Sequence, residues 1–296
     1  MIRGGLFAAA AGYLLSQTEG AALGNALLGL APLAAVPLLL TSLMILLLLA
    51  LRWYEILRAL GVGVRYRQVL AVCWSGQAAG ELGPPLLVGE LWRFFGLRGE
   101  AADSVLVLAQ AVDRFSGLVT LGLLLLIEAL WFGVGPIPGL VWPGLLGGLA
   151  LGFWLLGRSL TSWPPVFKSL PALLRAPASL RHYLLSVLIH LGLILNLIWA
   201  QKALSLDIPL PILLQAGPLM LAATTFVPGF FSDWGKREMA LVLILGASDV
   251  PEAEALALSL LYGGSHLLMA LPGFLVGRLG PSTAFGFRWR RGPCAR

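Results

Sequence analysis

Long uncharged runs of apolar residues dominate this sequence. The run Pro32–Leu51 is rich in Leu and Ala and matches the roughly 20 residues that a helix needs to cross a bilayer. Only 11% of the residues are charged, whereas a soluble domain carries about 25%. The sequence therefore predicts an all-α polytopic membrane protein. The net charge of +6 comes from basic residues between the apolar runs, which is typical of membrane loops and does not indicate nucleic-acid binding.

Six segments are predicted to cross the membrane. They are Ile2–Leu15, Pro32–Leu51, Ser104–Leu126, Leu140–Leu156, Tyr183–Ala200 and Ala253–Val276. By the positive-inside rule, the basic connections put both termini in the cytoplasm. Arg52–Leu60, which is basic and aromatic, is expected to lie at the cytoplasmic interface. We predict one transmembrane domain, 1–280, followed by a short basic cytoplasmic tail, 281–296.

Two further apolar stretches are interrupted halfway, and we predict that they form re-entrant hairpins on opposite sides of the membrane. In the first, Gln68–Arg98, two short arms flank Gly83, Pro84 and Pro85, and a Pro-Pro pair cannot continue a helix. A single span kinked at Gly83–Pro85 is the alternative. In the second, Ile208–Phe226 and Gly235–Gly246 flank a break at Pro228 and Gly229. The arm Gly235–Gly246 is too short to cross a bilayer.

Charged residues follow both breaks, and charges at membrane depth usually mark a site. Broken helices at corresponding positions in two halves indicate a transporter's binding site. Their N-termini offer backbone N–H groups to an anion, and Arg adds bidentate bonds, so phosphate is the natural guest. The predicted substrate-binding residues are Glu90, Arg93, Asp113, Arg114, Asp233, Lys236, Arg237 and Glu238, beside the hairpin-break residues Gly83, Pro84, Pro85, Gly89, Pro228, Gly229 and Gly235.

The acidic members of this set have two interpretations. Glu90, Asp113 and Glu238 would balance the cations of an empty site, or carry a proton for coupling. The alternative is that all the charges are buried ion pairs that hold the hairpins in place. Asp113 and Arg114 point about 100° apart on a helix, so at least one should reach another element, unless both extend to the interface.

Other polar residues give no catalytic or metal signature. His190 and His266 are each predicted as packing residues within apolar spans. Cys73 and Cys294 are not expected to form a disulfide, and the histidines and cysteines have no metal-ligand spacing. No Ser/His/Asp or Cys/His arrangement is present at catalytic spacing, and no cofactor is predicted. The sequence therefore favours a transporter over an enzyme.

Several segments resemble the lysylphosphatidylglycerol synthase membrane-region family, also described as flippase-like integral membrane proteins. They are GPPLLVGELWRFFGL, LAQAVDRFSGL, FVPGFFSDWGKREMALVLILGA and ALALSLLYGGSHLLMALPG, and the likeness extends over about Arg52 to Arg278. The chain departs from the family pattern at Ser232-Asp233, at Lys236 and in having two prolines, Pro84 and Pro85. The matching motif residues are Gly89, Glu90, Arg93, Asp113, Arg114, Gly235, Arg237 and Glu238.

The resemblance implies a flippase that moves a charged, phosphate-bearing lipid between leaflets, either a phospholipid or a polyprenyl-linked lipid. It also implies a multi-pass protein of a bacterial or archaeal cytoplasmic (inner) membrane. Synthase members carry a separate soluble transferase domain, which this sequence does not show. A membrane scaffold for a separately encoded synthase and a membrane enzyme acting on lipid phosphates are the alternatives. Besides the bilayer, a second copy of the chain and a lipid-modifying enzyme are the candidate partners.

Overall fold

The computed structural model describes residues 31–82, 85–132, 180–226 and 233–278, and these residues are almost entirely helical. The predicted all-α fold is therefore confirmed. The predicted spans Ile2–Leu15 and Leu140–Leu156, the tail 281–296 and the break residues Gly83, Pro84, Pro228 and Gly229 lie outside the described residues. The helices are α1 (Pro32–Ala59), α2 (Tyr66–Leu82), α3 (Pro85–Gly96), α4 (Asp103–Phe132), α5 (Leu180–Ala203), α6 (Leu210–Phe226), α7 (Lys236–Gly246), α8 (Glu252–Ala270) and α9 (Gly273–Arg278).

Four of the described segments are long and apolar enough to cross a membrane. They are Leu33–Ala59, Asp103–Trp131, Leu180–Ala203 and Glu252–Val276. They correspond to four of the predicted spans, and large apolar side chains such as Leu130 and Trp131 are about four-fifths exposed on their outer faces, at 79% and 80%. Exposed apolar side chains of this kind are suited to lipid. The chain is thus a multi-pass membrane protein.

Helix α1 extends well beyond its predicted span. The segment Arg52–Leu60 contains no Gly or Pro, so nothing in it ends a helix, and α1 continues to Ala59. The chain then turns at Gly61, whose φ of 77° suits a residue without a side chain. Arg52 and Trp53 are buried, at 6% and 0% exposure. Arg52–Ala59 is therefore a continuation of α1 whose first residues pack inside the protein, and its place at the membrane interface stays a prediction.

Helices α2 and α3 pack against each other as an antiparallel pair. A Cβ at Gly89 would meet the carbonyl oxygen of Gly76 at 3.1 Å, and one at Gly96 would meet Val72 at 2.7 Å. Residues before and after the break approach in reverse order, so the chain folds back on itself. The alternative of a single kinked span is wrong. Helix α3 begins at Pro85, where a helix tolerates proline. The depth and side at which the pair enters the membrane stay predictions.

Helices α6 and α7 flank the second break. Lys236, the first residue of α7, donates from Nζ to the backbone oxygen of Thr224 on α6 at 2.9 Å. Gly235 precedes α7 with a φ of 87°, a conformation that side chains disfavour. The last predicted span is divided at Leu271 and Pro272 into α8 and α9, since proline cannot continue a helix.

Two larger apolar cores, and a smaller one between α4 and α6, hold the described helices together. One is built around Trp53 from α1, α2 and α4, and the other joins α5 to α8 around Leu241. Buried hydrogen bonds fix α1 against α5: Asn196 Nδ2 donates to the backbone oxygen of Leu38 and to Ser42 Oγ, both at 2.9 Å.

Candidate functional site

A cavity of about 590 Å³ opens between the α2–α3 pair and the α6–α7 pair. Its wall also includes residues of α1, α4, α5 and α8. Placing charges at membrane depth costs about 2.5–3.5 kcal/mol each, so a cavity this rich in them is a functional-site candidate. The charged lining residues are four arginines, Arg52, Arg93, Arg114 and Arg237, and four carboxylates, Glu81, Glu90, Asp113 and Asp233.

The first charge cluster consists of Arg52, Glu90, Arg93, Asp113 and Arg114, and it joins α1, α3 and α4. Its most buried pair is Arg52 with Asp113, whose side chains are 7% and 3% exposed and whose Nε and Oδ1 atoms lie 2.7 Å apart. Arg52 also donates from Nη1 to Ser186 Oγ on α5 at 2.9 Å. Asp113 therefore neutralises a cation from a helix that is distant in sequence.

Arg93 divides its bonds between the two carboxylates of the first charge cluster. Its Nη2 lies 2.6 Å from Glu90 Oε1, and both terminal nitrogens lie 3.4 Å from Asp113 Oδ2. The guanidinium also stacks over the Trp53 ring, 5.0 Å from its centroid. The shortest bond, and hence the strongest attachment of Arg93, is to Glu90.

Glu90 is the shared acceptor at the edge of this cluster. Its Oε1 accepts from Arg93 and from Arg114 Nη2, whereas its Oε2 is buried and has no hydrogen-bond partner among the described residues. Gln110 Nε2 holds the backbone oxygen of Glu90 at 2.7 Å. The Arg114 side chain is 51% exposed, so the Glu90–Arg114 pair lies where the cluster meets the surroundings.

The second charge cluster consists of Asp233, Lys236, Arg237, Glu238 and Ser259. Arg237 pairs with its neighbour Glu238 through Nε at 3.1 Å and Nη2 at 2.8 Å. Ser259 on α8 donates to the same Glu238 oxygen at 3.1 Å. The other oxygen of Glu238 accepts from the backbone N–H of Gly235, so this carboxylate also caps α7. Both oxygens of Glu238 are therefore bonded.

The guanidinium of Arg237 is enclosed on several sides. It stacks over Trp234, 4.6 Å from the ring centroid, and lies 5.8 Å from the centroid of Tyr262. On α8 it occupies the space that a side chain at Gly263 would need, because a Cβ there would overlap its terminal atoms. Arg237 is thus presented to the cavity in a fixed position.

The predicted site residues separate into two groups. Lys236 and Glu238 do not line the cavity, although they contact residues that do: Lys236 Nζ pairs with Asp233 at 2.9 Å, and Glu238 pairs with Arg237. The sequence predicts that at least one of Asp113 and Arg114 reaches another element, and both do: Asp113 pairs with Arg52 and Arg93, and Arg114 pairs with Glu90. The other six predicted residues, Glu90, Arg93, Asp113, Arg114, Asp233 and Arg237, line it together with Gly89.

The sequence interpretation missed four residues of this site. The sequence places Arg52 at the membrane interface because it follows an uncharged run. A charge at that position is equally compatible with a buried ion pair inside a helical bundle. Glu81 lies just before the first break and accepts from Gln77 Nε2 at 3.0 Å. Ser259 and Gly263 follow the four-residue spacing of one helix face, but that spacing does not identify their partner.

Both predicted packing histidines line the cavity. His190 donates from Nδ1 to the backbone oxygen of Ser186 at 2.8 Å, as a packing histidine would. The Nε2 atom of His266 has no hydrogen-bond partner within the described ranges. Cys73 is a buried free thiol, and its expected lack of a disulfide to Cys294 is not tested because Cys294 lies outside those ranges. The helices described contain no cluster of metal ligands.

Membrane-crossing helices around a charged internal cavity define the class of protein as a polytopic membrane protein with a polar site inside its helical bundle. The chain belongs to the family described as the lysylphosphatidylglycerol synthase TM region, which matches residues 1–273. The matched range includes both charge clusters. No curated protein and no solved structure matches the chain.

Proposed function

We propose that this protein is a lipid flippase that binds the phosphate-bearing headgroup of a membrane lipid in its charged cavity and moves it between leaflets. The observation that carries the proposal is the shared cavity. Arg93 and Arg237, from opposite halves of the chain, line the same space of about 590 Å³. Guanidinium groups bind phosphate oxygens in pairs, and a site inside the bilayer strengthens those bonds.

The cavity wall also has the apolar surface that a lipid needs. Leu46 and Leu49 of α1, Leu118 of α4 and Leu193 of α5 line it beside the charges. A site for a free anion would gain nothing from leucine side chains, whereas the glycerol and upper acyl chains of a lipid would contact them. The membership in a family named after a phospholipid synthase's transmembrane region agrees with a lipid guest.

The proposal includes the predicted topology. Both hairpins enter a bacterial or archaeal cytoplasmic membrane from opposite sides, and the two termini face the cytoplasm. Each broken helix then places its charged start near mid-membrane, where backbone N–H groups and arginine face the same headgroup. The lipid is a phospholipid or a polyprenyl-linked lipid, because both present phosphate.

Leaflet exchange in reconstituted vesicles tests the proposal. The purified protein is inserted into vesicles containing acyl-labelled phosphatidylglycerol, and exchange is followed by quenching of the outer-leaflet label. The protein should accelerate exchange of this lipid over empty vesicles, and the Arg237→Ala variant should lose most of that acceleration. A labelled diacylglycerol, which has no phosphate, serves as the lipid control.

Arg98→Ala is the matched protein control. Arg98 pairs with Asp103 at 3.4 Å through side chains that are 57% and 53% exposed, away from the cavity lining. This variant should exchange lipid as the parent does. If folded Arg237→Ala protein exchanges phosphatidylglycerol as fast as the parent, the assigned site is wrong. Exchange that appears only after a separately encoded synthase is added would instead indicate a scaffold.

A further inference from the structure

The three predicted balancing carboxylates are held very differently. Asp113 is 3% exposed at its side chain and is held by Arg52 at 2.7 Å. Both oxygens of Glu238 are bonded, one of them to the backbone of α7. Glu90 bonds through Oε1 only, and its Oε2 is buried without a partner among the described residues. Of these three, Glu90 is therefore the one that can leave its place with least loss.

We propose that Glu90 occupies, in the empty protein, the position of a lipid phosphodiester between Arg93 and Arg114, and that it must leave for the headgroup to bind. The inference rests on the proposed function, since the phosphodiester belongs to the transported lipid. A carboxylate that bridges two guanidiniums has the same chemistry as a phosphate held between them. Glu90 is thus an internal competitor of the substrate.

Charge supports this exchange. The first charge cluster has three arginines, Arg52, Arg93 and Arg114, and two carboxylates, Glu90 and Asp113. A phosphodiester carries a single negative charge, so it replaces the Glu90 carboxylate without changing the net charge of the cluster. It also offers several acceptor oxygens to the arginine N–H groups, whereas Glu90 presents only one of its two oxygens to them.

The surroundings of Glu90 allow it to move. Arg114 is half-exposed, at 51% of its side chain, so the carboxylate has an outlet at this edge of the cluster. The polar bonds from α4 to Glu90 come from Gln110 and Arg114, and the Gln110 bond is to the backbone oxygen of Glu90. The side chain can therefore turn away while α3 keeps its attachment to α4. Arg93 stays in place through Asp113 and the Trp53 ring.

The Glu90→Gln variant tests the competition. Glutamine has the same shape but no charge, so the two arginines lose their internal anion. Binding of short-chain phosphatidylglycerol to the detergent-purified protein, measured by calorimetry, should tighten about tenfold over the parent. Without the Glu90 carboxylate, Arg114 loses its carboxylate partner and Arg93 keeps only the 3.4 Å carboxylate contact with Asp113, so both favour an external anion. Leaflet exchange should slow at the same time, since no carboxylate returns to displace the bound phosphate. If Glu90 had only a structural role, the variant would lower the affinity for lipid as well as the rate of leaflet exchange.

Matched variants separate the competition from other effects. Glu55 is 19% exposed, close to the 16% of Glu90, and it pairs with Arg58 and Arg181 away from the cavity lining. Glu55→Gln should bind like the parent. Adding Arg114→Gln to Glu90→Gln should abolish the gain in affinity. Glu90→Asp keeps the charge, but its side chain is too short to bridge both arginines, so its gain in lipid affinity should be smaller. This variant tests the inference if Glu90→Gln does not fold.

Two probes distinguish a lipid from a free anion. Glycerophosphoglycerol has the headgroup without acyl chains, and inorganic phosphate has neither. The gain in affinity of Glu90→Gln over the parent should be largest for short-chain phosphatidylglycerol. A gain in affinity for inorganic phosphate alone would overturn the lipid assignment. If the parent binds and exchanges lipid but Glu90→Gln binds no tighter, the inference fails and the proposed function stands. If neither parent nor variant binds any headgroup or exchanges lipid, both fail.

Discussion

The two charge clusters use similar residues in opposite ways. In the first, each arginine bonds to a carboxylate on another helix, up to 61 residues away in the chain, and Arg93 also pairs with Glu90 on its own helix. Glu90 keeps one oxygen without a partner among the described residues. In the second, Arg237 and Lys236 pair with carboxylates one and three residues away, and both oxygens of Glu238 are bonded. The first cluster thus depends on ion pairs between helices. The ion pairs of the second lie within one segment, which Ser259 on α8 and Thr224 on α6 support by hydrogen bonds.

This difference indicates that the two charge clusters have different roles in the proposed transport cycle. A site that moves a headgroup needs one part that keeps its shape and one part that exchanges partners. Arg237, enclosed by Trp234, Tyr262 and Glu238, has the properties of the fixed part. Glu90 and the half-exposed Arg114 have the properties of the exchanging part. The following variants test this contrast, from the largest expected effect to the smallest.

Asp113→Asn is expected to have the largest effect. Removing one partner of a buried ion pair costs about 3–5 kcal/mol, and here it leaves Arg52 without a counter-charge and Arg93 with Glu90 only. Thermal unfolding in detergent should show the loss. The control is Asp103→Asn, at a pair that is more than half exposed on both sides, where the change should stay below about 1 kcal/mol. Equal melting temperatures for the two variants would contradict the account of the first cluster.

Gly263→Ala should be next, because its new methyl group would occupy the space of the Arg237 guanidinium. Forcing atoms into a packed interior costs about 1–3 kcal/mol, and the displaced arginine should also lower leaflet exchange. The neighbouring Gly264 has nothing within 4 Å of its added Cβ, so Gly264→Ala should keep its activity and gain up to about 1 kcal/mol from helix propensity. Identical behaviour of the two alanine variants would show that Arg237 is not fixed as described.

Ser259→Ala removes a hydroxyl from the second charge cluster, and Ser186→Ala removes a hydroxyl that is bonded to the first. Ser259 donates to Glu238 and accepts from Arg237, whereas Ser186 accepts one bond from Arg52. Each buried bond contributes about 1 kcal/mol net, so the loss of unfolding free energy should be greater for the Ser259 variant. Denaturant titration in detergent compares the two directly. The reverse order would mean that the second cluster does not depend on α8.

Arg114→Gln should have the smallest effect on folding. A half-exposed ion pair contributes about 0–1 kcal/mol, so the melting temperature should change little. Affinity for short-chain phosphatidylglycerol should nevertheless fall severalfold, because the variant removes one of the two arginines that hold the phosphate. An unchanged affinity would remove Arg114 from the exchanging part of the site.

The sequence predicted the helices better than the contacts between them. Apolar runs and Pro/Gly breaks identified the four described spans and the two interrupted stretches, because bilayer thickness and proline chemistry act locally. The repeated motif identified Glu90, Arg93 and Arg237. Arg52 and Ser259 were missed because their roles depend on partners 61 and 21 residues away, and helix spacing alone cannot identify such partners. For the same reason, the sequence could not distinguish Glu90 from Glu238.

An experimental structure with bound short-chain phosphatidylglycerol would test the central claim most directly. The account predicts density for the phosphate inside the cavity, in contact with arginine of the first charge cluster, while Arg237 remains stacked on Trp234 on the same cavity wall. A headgroup bound only on the outer, lipid-facing surface of the helices, with the cavity free of lipid, would contradict it.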